Sequence, residues 1–310
     1  MSQAIDVAPR VVVFAYSETG HACLELLLRR GCRVVAVFTH EDNPGENRWF
    51  RSVADLATAA GVPVYKPDSV KESPWPERLA ALEPDLIFSF YYRHMIPEAL
   101  LKLAPLGAFN MHGSLLPRYR GRAPVNWAVL HGESETGATL HHMVRRADAG
   151  DIVDQQAVPI NPDETAAEVG EKVVHAAVVV LERQLDALSR GIAPRHPQDE
   201  SQATYFGGRK PEDGRIDWTQ SARSIHNLVR AVTHPFPGAF TTCSGGRLMV
   251  WKGGVEKDIG KYAPEIPSGR VLQTLPLCVQ TGDGIYRIDE IGWADDSLGP
   301  VVLRPGDQLG

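Results

Sequence analysis

No apolar run in this sequence reaches the roughly twenty residues that a membrane-spanning helix needs. Residues 1–10 are polar and lack the apolar centre of a secretion signal, so a cytoplasmic protein is expected. Cysteine is scarce: Cys23, Cys32, Cys243 and Cys278 show neither CxxC nor zinc-site spacing, and reduced thiols are the simple reading. The His141–His142 pair has no third imidazole and no HExxH around it, so no metal is expected. GxGxxG is missing after the first apolar run, which leaves a dinucleotide site unsupported. No serine or cysteine stands in a recognisable nucleophile elbow. Repeats and low-complexity segments are absent. A formal net charge of -6 weighs against a nonspecific polyanion binder.

What is present is a soluble-protein composition, 43% hydrophobic and 23% charged, over a length sufficient for two domains. The chain opens β-α-β. Val11–Ala15 is an apolar run, Ser17–Gly20 reads as a turn, His21–Arg30 has helical spacing, and Arg33–Phe38 is the next strand. This order predicts a parallel sheet. Residues 39–46 read as a polar loop. A helix is expected over 49–60, a strand over 62–65, a helix about 77–82 and a fully buried strand over 84–90. A helix ending near Leu103 and a strand from Gly107 follow. Further on, Ala123–His131 reads as a helix, Thr139–Val144 as a strand and Ile152–Ile160 as another. A long helix starts at Thr165, where Glu168 completes a capping-box pattern. Residues 1–191 are thus expected to form an α/β domain, 192–204 a Pro-, Gln- and Ser-rich linker, and 205–310 a small β domain, expected as a barrel.

The most informative stretch is Gly107-Ala-Phe-Asn110-Met-His112-Gly-Ser-Leu-Leu-Pro117 and the loop to Pro124. Asn110 and His112 lie two apart on a strand, so both side chains face one way. A strand that ends in polar residues and a tight turn is where an open α/β sheet usually holds its ligand. Asp148 sits in the loop after the next strand. A histidine beside a carboxylate is held in one tautomer and its imidazolium is stabilised. An asparagine N–H suits an oxyanion in acyl transfer. Without an enzyme nucleophile, the acyl acceptor would be a substrate amine. Asp151 and Asp154 compete with Asp148. His141 and His142 are as titratable as His112, and local satisfaction in the strand is the preferred reading for both. Arg118, Arg120 and Arg122 read equally as a solvated loop or as an anion-binding set.

Asn110-Met-His112-Gly-Ser-Leu-Leu-Pro117, Gly121, Pro124, Arg145-Arg-Ala-Asp148-Ala-Gly150-Asp151 and Pro235-Phe-Pro-Gly238-Ala-Phe240 together resemble the signature of the folate-dependent formyltransferases. The resemblance covers nearly the whole chain. It implies a Rossmann-like, mostly parallel α/β domain followed by an OB-like β-barrel, with 10-formyltetrahydrofolate as co-substrate. It implies that Asn110 stabilises the oxyanion, His112 shuttles the proton and Asp148 orients His112. It also places His94, Met95, Ile96, Arg122, Val144, Arg145, Arg146, Ala147 and Asp148 around the folate.

Within the family, Val13–Tyr16, Phe38–Glu46, Ser89–His94 and His112–Ala123 resemble, nearly residue for residue, members that formylate a UDP-linked 4-amino-4-deoxy-L-arabinose for lipid A. Those members carry a second, decarboxylating domain, whose activity is not carried over to these 310 residues. Other nucleotide-linked amino sugars stay open as acceptors. The branch that formylates methionyl-tRNA is the main alternative. It carries a longer basic loop and a more basic barrel. Here residues 41–52 hold three acids against two arginines, and residues 201–310 hold 12 Lys+Arg and 12 Asp+Glu. A tRNA partner is disfavoured on that ground. A folate-binding protein without catalysis is the remaining class, and the intact trio argues against it. Self-association is left open.

Overall fold

The computed structural model describes residues 8–42, 45, 47–243, 246–257 and 263–310. The chain divides into two compact units. The first takes residues up to 124, 136–158 and 171–206; the second takes 125–135, 159–170 and 207–310.

Along the chain, β-branched runs make strands and amphipathic stretches make helices. The order is β1 (Arg10–Ala15), α1 (Ser17–Arg29), β2 (Arg33–Phe38), α2 (Val53–Ala59), β3 (Val64–Tyr65), α3 (Trp75–Ala81), β4 (Leu86–Phe90), α4 (Glu98–Leu101), β5 (Gly107–His112) and β6 (Arg120–Gly121). After α5 (Pro124–Leu130) come β7 (Glu135–His142), β8 (Ile152–Pro159), α6 (Ala166–Ser189) and β9 (Tyr205–Phe206). One seven-stranded sheet runs β3-β2-β1-β4-β5-β7-β8. β1 is parallel to β2 and β4, β4 is parallel to β5, and β5 is antiparallel to β7. The strand order reverses between β1 and β4, so crevices open at the carboxyl ends of these strands. β4 is buried along its whole length. Phe14, Phe38 and Ile87 form part of one apolar cluster, and each such side chain gains about 1.5–3 kcal/mol by leaving water.

Several local expectations shift. Ser17–Gly20, expected as a turn, is the first turn of α1. Ser17, at φ 61°, turns the chain straight off β1, and a Cβ on Gly20 would stand 3.1 Å from the Phe90 carbonyl oxygen. That glycine permits close helix–strand approach rather than a loop. The helix expected from 49 starts at Val53, because the Ser52 side chain accepts the Asp55 N–H and caps it. The helix expected to reach Leu103 ends at Leu101. The strand expected over 139–144 is β7, which starts four residues earlier and stops at His142. Gly137 lies inside it, where a Cβ would strike the Gln156 carbonyl oxygen, so this glycine lets β8 come close. In the loop expected over 39–46, Asn43, Pro44 and Glu46 lie outside the described residues. The expected linker over 192–204 is bonded into the first unit. Ile152 and His196 exchange both backbone hydrogen bonds, and the Arg120 N–H donates to the Thr204 carbonyl.

In the second unit, α7 (Ala222–Val232) presents Ala222, Ile225, Val229 and Val232 on one buried stripe, with Ser221 as its cap. β10 (Ala239–Cys243), β11 (Gly246–Val255), β12 (Val271–Thr274), β13 (Leu277–Gln280) and β14 (Ile285–Trp293) form a five-stranded antiparallel sheet, ordered β10-β11-β14-β13-β12. The expected small β domain is present as this ladder. The last residues tie its two ends together: the Leu309 N–H donates to the Gly269 carbonyl and the Gly310 N–H to the Thr242 carbonyl.

Candidate active site

β5 ends beside β7, and their antiparallel register sets Asn110 directly opposite His141. Directly opposed residues share a face. The loop after β7 then returns Asp148 to the same place, in the left-handed region at φ 54°. The result is one cluster drawn from three segments. Asp148 Oδ1 lies 3.4 Å from Asn110 Nδ2, 3.5 Å from His112 Nδ1 and 3.5 Å from His141 Nε2. Asp148 Oδ2 accepts the Gly121 N–H at 2.9 Å.

Hydrogen-bond chemistry fixes several proton positions. His112 Nε2 lies 2.8 Å from the Tyr119 carbonyl oxygen, which can only accept, so Nε2 carries a proton. Its Nδ1 faces the Asp148 carboxylate, and the imidazolium form offers a proton to each acceptor. His141 Nδ1 likewise donates to the His142 carbonyl at 2.9 Å. The neutral His141 ring then presents a lone pair at Nε2, 3.1 Å from Asn110 Nδ2. That contact orients the Asn110 amide with its NH2 group, not its oxygen, toward His141 and Asp148.

Burial alone would push the Asp148 carboxyl up. The charge of His112, the largest of the opposing causes, and the Gly121 N–H pull it the other way, and the group is held well below the usual carboxylate range. Among the described residues, no arginine or lysine shares a hydrogen bond or ion pair with this carboxylate.

The turn after β5 is fixed by its own bonds. A Cβ on Gly113 would collide with the Tyr91 hydroxyl, so only glycine fits there. Thr139 Oγ1 donates to the Ser114 carbonyl at 2.6 Å and accepts from the Leu116 N–H. Ser114 Oγ donates to the Arg118 carbonyl at 2.7 Å. The serine is committed to the loop and is not a nucleophile.

The competing carboxylates are occupied elsewhere: Asp151 pairs with Arg195 and Asp154 with Arg183. His142 bonds to the Pro194 carbonyl, as local satisfaction predicts. His141 is satisfied locally at Nδ1 alone; through Nε2 it joins the cluster, which the sequence reading did not anticipate. Its signal was the strand register, which a single sequence does not display. The three loop arginines diverge. Arg118 lies over the Tyr119 ring, Arg120 is fully buried, and Arg122 is exposed.

A cavity of about 430 Å³ lies at the start of β5 and the end of β7, walled by Leu101, Ala108, His142, Met143, Val144 and Arg145 among others; Asn110, His112 and Asp148 do not line it. Its size suits a small organic ligand. Of the residues expected around a folate, Val144 and Arg145 line it. Arg146 pairs with Glu200, and Ala147 continues the loop to Asp148. His94 and Met95 are exposed, with His94 edge-on to His40, while Ile96 is buried in the apolar cluster. Among the described residues, no group of three or more His, Cys, Asp or Glu side chains is placed to hold a metal ion, and no helix is long and apolar enough to cross a membrane.

Known proteins match most of the chain. The family model described as formyl transferase matches residues 9–185, and that described as formyl transferase, C-terminal domain, matches residues 209–297. Among solved structures, HypX from Aquifex aeolicus in complex with tetrahydrofolic acid is 20% identical at a TM-score of 0.62; the match covers 94% of this chain and 45% of that one. The chain therefore spans less than half the length of HypX. An N-formyltransferase from Helicobacter canadensis, solved with folinic acid and dTDP-3-aminofucose, is 19% identical at a TM-score of 0.71, covering 92% of this chain and 100% of that one. A 4-N formyltransferase from Francisella tularensis is 22% identical at 0.60, covering 73% and 89%.

Proposed function

We propose, since the chain belongs to the formyl transferase family, that it transfers a formyl group from 10-formyltetrahydrofolate to the amino group of a nucleotide-linked sugar. The acceptor is the 4-amino group of UDP-4-amino-4-deoxy-β-L-arabinose, and the product serves lipid A modification. The observation that carries the reading is that Asn110 and His112 on β5 each come within 3.5 Å of Asp148 Oδ1 in the loop after β7.

Asn110 offers an N–H to the negative charge that develops on the formyl oxygen as the amine adds to the formyl carbon. His112 delivers a proton to the departing nitrogen, and the amine's surplus proton leaves through the same group. Asp148 holds the His112 imidazolium in place. His141 fixes the amide of Asn110. The formyl group itself comes from the co-substrate. His94, Met95, Ile96, Arg122 and the 144–148 loop belong to the folate side of the site.

The sugar acceptor is supported by the residue-for-residue likeness in 38–46 and 112–123. It is also supported by the similar fold of an N-formyltransferase solved with folinic acid and dTDP-3-aminofucose. The balanced charge of residues 201–310 is against a tRNA acceptor. The test is a single assay with 10-formyltetrahydrofolate and both acceptors. Hyperbolic turnover of the UDP-amino sugar and none of methionyl-tRNA is expected. Robust tRNA formylation without sugar formylation reverses the assignment.

A further inference from the structure

Arg120 is fully buried, and its side chain bonds to a short stretch that starts inside the expected linker and ends just beyond it. The guanidinium donates to Gln198 Oε1 from Nε at 3.1 Å and from Nη2 at 2.6 Å. It also donates to both carboxylate oxygens of Glu200, at 2.6 and 3.1 Å, and to the Tyr205 hydroxyl at 2.6 Å. The next residue, Gly121, is the one whose N–H holds Asp148 Oδ2.

The same stretch grips the Asp148 loop from its other side. Gln198 Nε2 donates to the Asp148 carbonyl at 2.9 Å and to the Gly150 carbonyl at 2.6 Å. The orientation of the Gln198 amide is not a free choice, since carbonyls only accept and a guanidinium only donates. Arg146, two residues before Asp148, pairs with Glu200 at 2.9 Å and lies 4.8 Å over the Tyr205 ring. β6 and β9 add a parallel backbone pairing, and a Cβ at Gly121 would strike the Phe206 carbonyl.

We propose that residues 198–206 are a brace that sets the position of the Asp148 carboxylate, with Gln198 as the positioning residue and Arg120 as its anchor. Both segments that hold Asp148, the Gly121 backbone and the 146–150 loop, are tied to this one stretch. Asp148 itself sits at φ 54°, a conformation an aspartate keeps only when its surroundings hold it there. Gln198 touches no reacting atom and acts through Asp148. The kinetic arm of the inference rests on the formyl-transfer reading; its structural arm does not.

Truncating the buried Arg120 threatens the fold, so the tests are Gln198→Leu and Gln198→Glu at a half-buried position. Gln198→Glu keeps the acceptor for Arg120 and loses both donors to the Asp148 loop. Both variants are expected to lower kcat by about tenfold to a hundredfold with KM for the amino sugar unchanged. Both are also expected to speed exchange of the Gly121 amide, while exchange of the Val12 amide in β1 stays as in the wild type. Unchanged Gly121 exchange in both variants overturns the brace, as does a change in the amino-sugar KM without one in kcat. If the wild type fails to formylate the UDP-amino sugar, the proposed function falls and the Gly121 exchange alone decides the brace.

Discussion

Two polar clusters lie in the first unit, and they are built on opposite rules. At the ends of β1 and β2, charges are met by opposite charges. Asp42 takes Arg48 at 2.7 Å and the Tyr16 hydroxyl at 3.0 Å, and Lys66 pairs with Glu41 at 2.9 Å. His40 is stacked on Tyr92 at 4.3 Å and accepts the Arg93 N–H, so its ring is neutral. At the end of β5, the Asp148 carboxylate meets imidazoles, an amide and a backbone N–H. Exposed ion pairs are worth little, and losing one costs little. A buried carboxylate without a permanent cation is costly to keep, and it keeps its field for a proton that comes and goes on histidine. The second arrangement is the one chemistry can use.

Removing His112 or Asp148 tests that contrast most severely. His112→Ala and Asp148→Ala are each expected to cut formyl transfer by about 10²–10⁴-fold, with circular dichroism unchanged. Folded variants with near-normal turnover break the contrast and the proposed mechanism together.

A smaller effect is expected at His141. In His141→Ala the Asn110 amide loses the lone pair that orients it. Turnover is expected to drop by about tenfold, with KM unaltered. If His141→Ala instead matches the wild type in kcat, the histidine is only local packing, as the sequence reading preferred.

The mildest test concerns the other cluster. Burial, then the charges of His94 and Arg93, push the His40 ring down to about 4 from its ordinary 6.5. Between these values the unfolded chain binds more protons at this position than the folded one. Its contribution to stability is therefore full above pH 6.5 and is lost as pH falls toward 4. His40→Gln is expected to flatten the decline of thermal stability over that window. A decline as steep as in the wild type removes His40 from the account.

Much of the fold was legible because it rests on local patterns. The apolar runs of β1, β2, β4 and β5 are bounded by turn residues, and the Thr165–Glu168 box is intact, with Thr165 N–H and hydroxyl both bonded to the Glu168 carboxylate. Glycine serving close approach was not legible: Gly20 and Gly137 lie within regular elements, and nothing in the sequence distinguishes them from turn glycines. Asn110 and His112 were legible because strand periodicity ties them together. The cluster role of His141 was not, because it comes from pairing across strands.

By itself, then, the sequence determined the alternating elements, the same-face placement of Asn110 and His112, and the family. Periodicity and short motifs operate over a few residues, and the chain carries them openly. The resemblance singled out Asp148; only the tertiary structure showed Asp151 and Asp154 paired with arginines instead, His141 joining the cluster, and Gln198 and Glu200 bonded to its surroundings rather than spanning a free linker. Those contacts join residues far apart in the sequence. Only the folded sheet, by fixing strand register and the path of the loops, brings such partners within hydrogen-bond distance.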